Sequence, residues 1–142
     1  MDDDTHTQDS KIHRIRHSTA HLLAQAVKQL YPDVQMGIGP VIENGFYYDF
    51  SKKEPFTPED LRNIAAKMKE IAKKNLPIQK IELKKDALQK FLKQESLKKE
   101  LHDELVAKKE TPTFYGQGDF VDLCRGPHVE NTKELKHFAL TR

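Results

Sequence analysis

Two histidines four residues apart, His17 and His21, stand in the run Arg16–Leu30, RHSTAHLLAQAVKQL. On a helix each residue turns the side chain by about 100°, so the pair lies one turn apart on one face. Ala20, Leu23, Ala24, Val27 and Leu30 form an apolar stripe beside it. Imidazoles at that spacing, bordering a core stripe, can converge on one metal ion, one water or one ester. Packing or surface histidines give the same spacing. The second chemically rich run is Phe120–His128, FVDLCRGPH. If Phe120–Cys124 is a strand, Asp122 and Cys124 leave it on the same side. Gly126-Pro127 then turns the chain, so Cys124 and His128 flank a loop. Three imidazoles and one thiolate are a zinc ligand set, and equally a set for acid–base work on an ester. A lone cysteine is more commonly a core thiol.

The elements that must position these groups follow from periodicity and turn chemistry. The histidine helix is expected from about Ile12 until Tyr31-Pro32-Asp33 ends it. Val34–Gly39 reads as a strand, and Asn44-Gly45 between Val41–Glu43 and Phe46–Phe50 signals a hairpin. Within it Phe46, Tyr48 and Phe50 share one face, with Tyr47 and Asp49 on the other. Thr57-Pro58-Glu59-Asp60 is a helix start. The stripe Leu61, Ile64, Ala65, Met68, Ile71 and Ala72 continues it to Lys74, closed by Asn75 and Pro77. Ile78–Leu83 is a further strand. Asp86 is the expected cap of a helix carrying Ala87, Leu88, Phe91 and Leu92. Ser96 is the expected cap of the next, with Leu97, Leu101 and Leu105 inward and Lys98 and Lys99 unremarkable. Thr113–Tyr115 and Asp119–Leu123 are short strands around a Gly116-Gln117-Gly118 turn. Such irregular alternation predicts an α+β fold: a largely antiparallel sheet with a central hairpin, packed against several helices.

The chain has 142 residues, which fits one domain with a real core. Charged residues reach 32 % and net charge is only +2, so the chain as a whole is no polycation. The charge is uneven: residues 1–11 read by composition as an acidic, disordered leader, whereas Lys67–Lys109 is rich in lysine and could meet phosphates. A solvated helix surface explains those lysines equally well. The single cysteine excludes an internal disulfide framework and fits a reducing cytoplasm. No apolar run approaches the roughly 18 residues that span a membrane.

Arg16–Leu23, then Gly37–Asp49 (GIGPVIENGFYYD), then Val121–His128 (VDLCRGPH) resemble the N-terminal editing domain of the threonyl-tRNA synthetase family, related to that of alanyl-tRNA synthetases. The resemblance covers Ile12 to Leu140. It implies a domain over 12–142 that hydrolyses seryl-tRNA(Thr) made in error. It assigns catalysis to His17, Lys98, Asp122, Cys124 and His128, and substrate binding to His21, Tyr48, Arg125 and Gly126. Lys98 is carried over through Glu95-Ser96-Leu97-Lys98, where leucine stands in place of the usual tyrosine. Its implied partners are tRNA(Thr) mischarged with serine and the aminoacylation core of a parent synthetase. Nothing in the chain resembles that core, so no ligase activity is expected, and the chain reads as an excised piece or a stand-alone factor. No cofactor is expected for editing; if zinc binds, its ligands are His17, His21, Cys124 and His128. A zinc-dependent deacylase of the alanyl type and a non-catalytic tRNA-binding module are the alternatives.

Overall fold

The computed structural model describes residues 10–141. The leader expected over 1–11 therefore lies, for residues 1–9, outside the described residues. Ser10 opens helix α1 (Lys11–Leu30), its hydroxyl accepting the His13 N–H at 3.1 Å. Every residue from Ser18 to Val27 is buried, so the helix is enclosed rather than packed through a single stripe. The polar residues within that run make this possible because each finds a partner. Thr19 donates to the Ile15 carbonyl, and Gln25 exchanges hydrogen bonds with Gln117.

Strands β1 (Gln35–Met36), β2 (Val41–Ile42), β3 (Gly45–Phe46) and β4 (Phe50–Ser51) form two short antiparallel ladders, β1 with β4 and β2 with β3. They are the two ends of one interrupted hairpin, since Gly37 N–H reaches Asp49 O, Asp49 N–H reaches Ile38 O and Tyr47 N–H reaches Pro40 O. Pro40 has no N–H to continue the ladder. Alternation holds across the break: Tyr48 is buried, Tyr47 and Asp49 exposed. The tip differs from the expected Asn44-Gly45 turn. Ile42 pairs with Gly45, so Glu43-Asn44 makes the two-residue loop, and Arg16 of α1 holds the Glu43 carbonyl at 2.9 Å.

Helix α2 (Pro58–Ala72) starts with a full capping box between Thr57 and Asp60 and buries Ile64, Met68, Ile71 and Ala72 against α1. Helices α3 (Lys85–Gln94) and α4 (Ser96–Ala107) correct three expectations. Asp86 is not a cap; Lys84 holds that position, and Asp86 lies in the first turn, where its charge suits the helix N-terminus. Ser96 is the first residue of α4 and gives its N–H and hydroxyl to Gln35 Oε1. Leu97 is 39 % exposed, and Lys98 is the residue that α4 buries. Leu101 and Leu105 keep their expected inward, half-buried places on the same face, and only in the first turn does Lys98 take the inward place of Leu97, where the Asp122 carboxylate waits.

Strands β5 (Gln79–Ile81), β6 (Phe114–Gln117) and β7 (Phe120–Leu123) form an antiparallel sheet in that order. Gln117 pairs with Phe120, so the turn narrows to Gly118-Asp119 and Gly116 belongs to the strand. A 3₁₀ turn, Thr132–Glu134, covers the end of α2. Among the described residues the fold is α+β, with every strand pair antiparallel and the pairing divided among three small sheets instead of one.

Gly39 sits where a Cβ would lie 2.3 Å from the Tyr48 ring, whereas a Cβ on Gly45 meets nothing within 4 Å. Gly39→Ala should therefore lose about 1–3 kcal/mol of stability through overpacking, and Gly45→Ala should change it little. Urea unfolding of both variants checks this; equal losses would contradict the packing described.

Candidate active site

Four elements meet at one carboxylate. Asp122, on β7, has no exposed surface. Its Oδ1 accepts from the Leu123 N–H at 2.8 Å and from Lys98 Nζ of α4 at 3.0 Å. Its Oδ2 accepts from the Tyr48 hydroxyl at 2.6 Å and lies 3.5 Å from His21 Nε2 of α1. The Lys98 ammonium also stands 5.4 Å over the Tyr48 ring, a cation–π placement. The charge is thus buried with partners on both oxygens, the condition under which a carboxylate survives away from water.

The imidazoles stack beside it. His17 and His128 are 4.2 Å apart centroid to centroid, and His21 approaches His128 edge-on at 4.4 Å. His17 donates from Nδ1 to the Pro127 carbonyl at 3.0 Å, which leaves Nε2 with a free lone pair. Cys124 Sγ lies 3.2 Å from His128 Nε2. Burial keeps these groups uncharged. It lowers His17 from 6.5, with the Pro127 hydrogen bond opposing. It drives His21 well below 6.5, reinforced by His17 and Lys98. His128 falls to about 2, first from burial and then from its two histidine neighbours. The Cys124 thiol rises to about 12 through burial and the Asp122 charge. The Tyr48 hydroxyl moves well above 10 for the same two reasons.

A cleft of about 370 Å³ opens onto this cluster, with His17, His21, Lys98, Asp122 and Cys124 on its wall and Gly39 and Pro40 of the hairpin opposite α4. Tyr48 stands behind the carboxylate, its hydroxyl committed to Asp122. Gly126 joins the cleft wall at φ +73°, and the Tyr115 hydroxyl occupies the space a Cβ would need. Arg125 is not drawn into the cluster: its side chain is 82 % exposed at the rim and pairs with Glu110 at 3.2 Å. In the lysine-rich stretch, Lys67 and Lys99 pair with acids on their own helices, and Lys98 is the buried exception. Ser18 is a site residue that the motifs did not single out. It is fully buried and bonds both His128 Nδ1 and the Val129 N–H. Its signal was modest: it lies three residues before His21 and so shares that face.

The donor atoms of His17, His21, Cys124 and His128 all lie within 4.8 Å of one another. Tetrahedral zinc places its ligands roughly 3.3–3.8 Å apart, so small side-chain movements close the set around an ion. These four residues fit a metal.

The pH dependence of stability follows from the neutral cluster. Unfolded histidines take protons near 6.5, whereas His17, His21 and His128 resist them. Stability is therefore full above 6.5 and falls as pH drops through the lowered values. Each such histidine removes up to about 1.4 kcal/mol per pH unit. On the alkaline side the unfolded thiol ionises near 9.0 while folded Cys124 holds its proton to about 12, so stability falls again above 9. Urea unfolding of chelator-treated protein across this range checks the plateau. Constant stability from pH 7 to pH 5 would contradict it.

Comparison with known proteins places these features in a family context. A family model described as "Threonyl and Alanyl tRNA synthetase second additional domain" matches residues 113–142. A threonine–tRNA ligase of Methylobacillus flagellatus is 55 % identical over 130 residues, covering 90 % of this chain and 20 % of the relative. That of Azoarcus sp. is 54 % identical over 131 residues, with the same shares. That of Aromatoleum aromaticum is 49 % identical over 141 residues, covering 97 % of this chain and 22 % of the relative. The chain spans about a fifth of the length of these curated relatives.

Proposed function

Because this chain is related over 90 % of its length to a segment of threonine–tRNA ligases, we propose that it is an editing module that hydrolyses the ester of tRNA(Thr) mischarged with serine. Its partners on this reading are that tRNA and the aminoacylation core of a parent synthetase, working in the cytoplasm. The observation that carries it is the cleft in which a neutral imidazole with a free Nε2 faces a buried ammonium–carboxylate pair.

A pocket shaped for threonine cannot strongly exclude serine, which lacks one methyl; that difference discriminates by about 1–3 kcal/mol. A second site that admits the smaller residue and delivers water restores fidelity. Here the seryl ester enters between the hairpin and α4. Its α-ammonium lies toward Asp122 Oδ2, and its side chain lies against Cys124, whose thiol is neutral and compact and is backed by His128. The His17 Nε2 accepts a proton from water, directly or through the terminal ribose hydroxyl, as the water oxygen attacks the ester carbon. The Lys98 ammonium, fixed by Asp122, stabilises negative charge on the carbonyl and leaving oxygens. The carbon–oxygen bond to ribose breaks, that oxygen takes the proton back, and serine and uncharged tRNA leave. His21 and Tyr48 hold Asp122 in place. Arg125, exposed at the rim, meets the RNA side of the substrate.

The hydrolysis described needs no metal. A zinc ion at the four-residue cluster would supply Lewis-acid polarisation and an activated water, the chemistry of the alanyl-type alternative. With all four protein ligands retained, however, such a site is closed and structural in character. The convergence of four donors within 4.8 Å is what favours the alternative.

One experiment tests both readings. The isolated chain, at saturating concentration, should deacylate seryl-tRNA(Thr) far faster than threonyl-tRNA(Thr), and a chelator should leave the seryl rate unchanged. Equal rates, or none, would sink the editing assignment. Seryl activity abolished by chelator and restored by zinc would move the mechanism to the alanyl type.

A further inference from the structure

Consecutive residues of α1 grip consecutive residues of the loop after β7. His17 donates to the Pro127 carbonyl, and Ser18 meets both His128 Nδ1, at 2.9 Å, and the Val129 N–H, at 3.0 Å. The serine is fully buried, so its own hydroxyl does not meet solvent. A hydroxyl has one proton and two lone pairs. The Val129 N–H can only donate, so it takes a lone pair of Ser18. The serine proton is then left for its remaining partner, His128 Nδ1, to which it can be given.

This decides more than packing. In a neutral imidazole one nitrogen carries the proton and the other the lone pair, and the partner of one fixes the state of the other. If Nδ1 accepts from Ser18, His128 holds its proton on Nε2. That nitrogen then points its N–H at Cys124 Sγ, 3.2 Å away. The ring is at the same time held face to face with His17, the imidazole whose own Nδ1 is bound one peptide away. We infer that Ser18 is a positioning residue of the site: its hydroxyl sets the tautomer and orientation of His128, and through that ring the placement of Cys124 and His17. It touches no substrate. The same hydroxyl could turn to accept from Nδ1–H, the arrangement that a metal on Nε2 of His128 would require.

The rate effect rests on the editing assignment, whereas the ring state of His128 does not, and the two are read separately. Long-range nitrogen–proton NMR of the metal-free wild-type chain should show His128 neutral, with its proton on Nε2 and an Nδ1 that accepts a hydrogen bond. In Ser18→Ala that signature should give way to a mixture of tautomers. The seryl-tRNA deacylation rate should fall about 10- to 100-fold, the scale typical of lost second-sphere partners. Ser18→Thr, which keeps a hydroxyl, should restore the signature and most of the rate. Far-UV dichroism confirms that each variant is folded. Should neither variant fold, the wild-type spectrum alone decides. A wild-type His128 protonated on Nδ1 would overturn the inference, as would a Ser18→Ala protein whose His128 spectrum is unchanged. A wild-type chain with the expected spectrum and no deacylation would fault the functional assignment and leave the positioning role standing.

Discussion

The structure turns on one buried ion pair. Asp122 is sealed from water, and its charge is tolerable there only because an ammonium, a phenol and a backbone amide converge on it. Those donors come from α4, from the interrupted hairpin and from β7 itself, while His21 of α1 closes the remaining side. The hairpin strands, β7 and α4 are each short or weakly specified by their own sequence. Strands of two residues and a helix with no side-chain cap do not hold position through local propensity. The carboxylate gives them a common point to satisfy, and the cleft forms where they meet.

The same burial sorts the site into charged and neutral halves. Asp122 and Lys98 sit as an ion pair, and the three imidazoles, the thiol and the Tyr48 hydroxyl are each driven toward their uncharged forms. Charge and lone pair are therefore available side by side. An ammonium can meet developing negative charge while an unprotonated imidazole receives a proton. Groups of different type with environments that push them apart mark acid–base chemistry more strongly than any one shifted group does. The cost is sensitivity to acid, because every proton forced onto the cluster acts against the fold.

Much of this was legible in the residues. Periodicity puts His17 and His21 on one helix face and Asp122 and Cys124 on one side of a strand, and the fold brings the two runs together. Tyr48 faces inward as alternation demands, and its hydroxyl finds Asp122. Lys98 is the instructive case. Apolar periodicity points Leu97 inward and leaves the lysine in solvent, and only the family resemblance marked it. A tertiary carboxylate overrides the helix's own pattern, and no local rule detects a partner 24 residues away. The hairpin tip and the β6–β7 turn each shift by about a residue because registry is set by tertiary contacts, Arg16 to Glu43 and Gln25 to Gln117, which turn propensity does not include. Ser18 was missed for a similar reason: its partners lie across 110 residues of chain.

The dependence on the buried pair is most directly tested by a double-mutant cycle on unfolding free energy, using Asp122→Asn, Lys98→Met and the two together. Removing either partner leaves the other buried and unpaired, so each single change should cost about 3–5 kcal/mol. The double variant should cost clearly less than their sum, with a coupling of about 2 kcal/mol or more. Costs that add to within about 0.5 kcal/mol would contradict the pair as the organising interaction of this site.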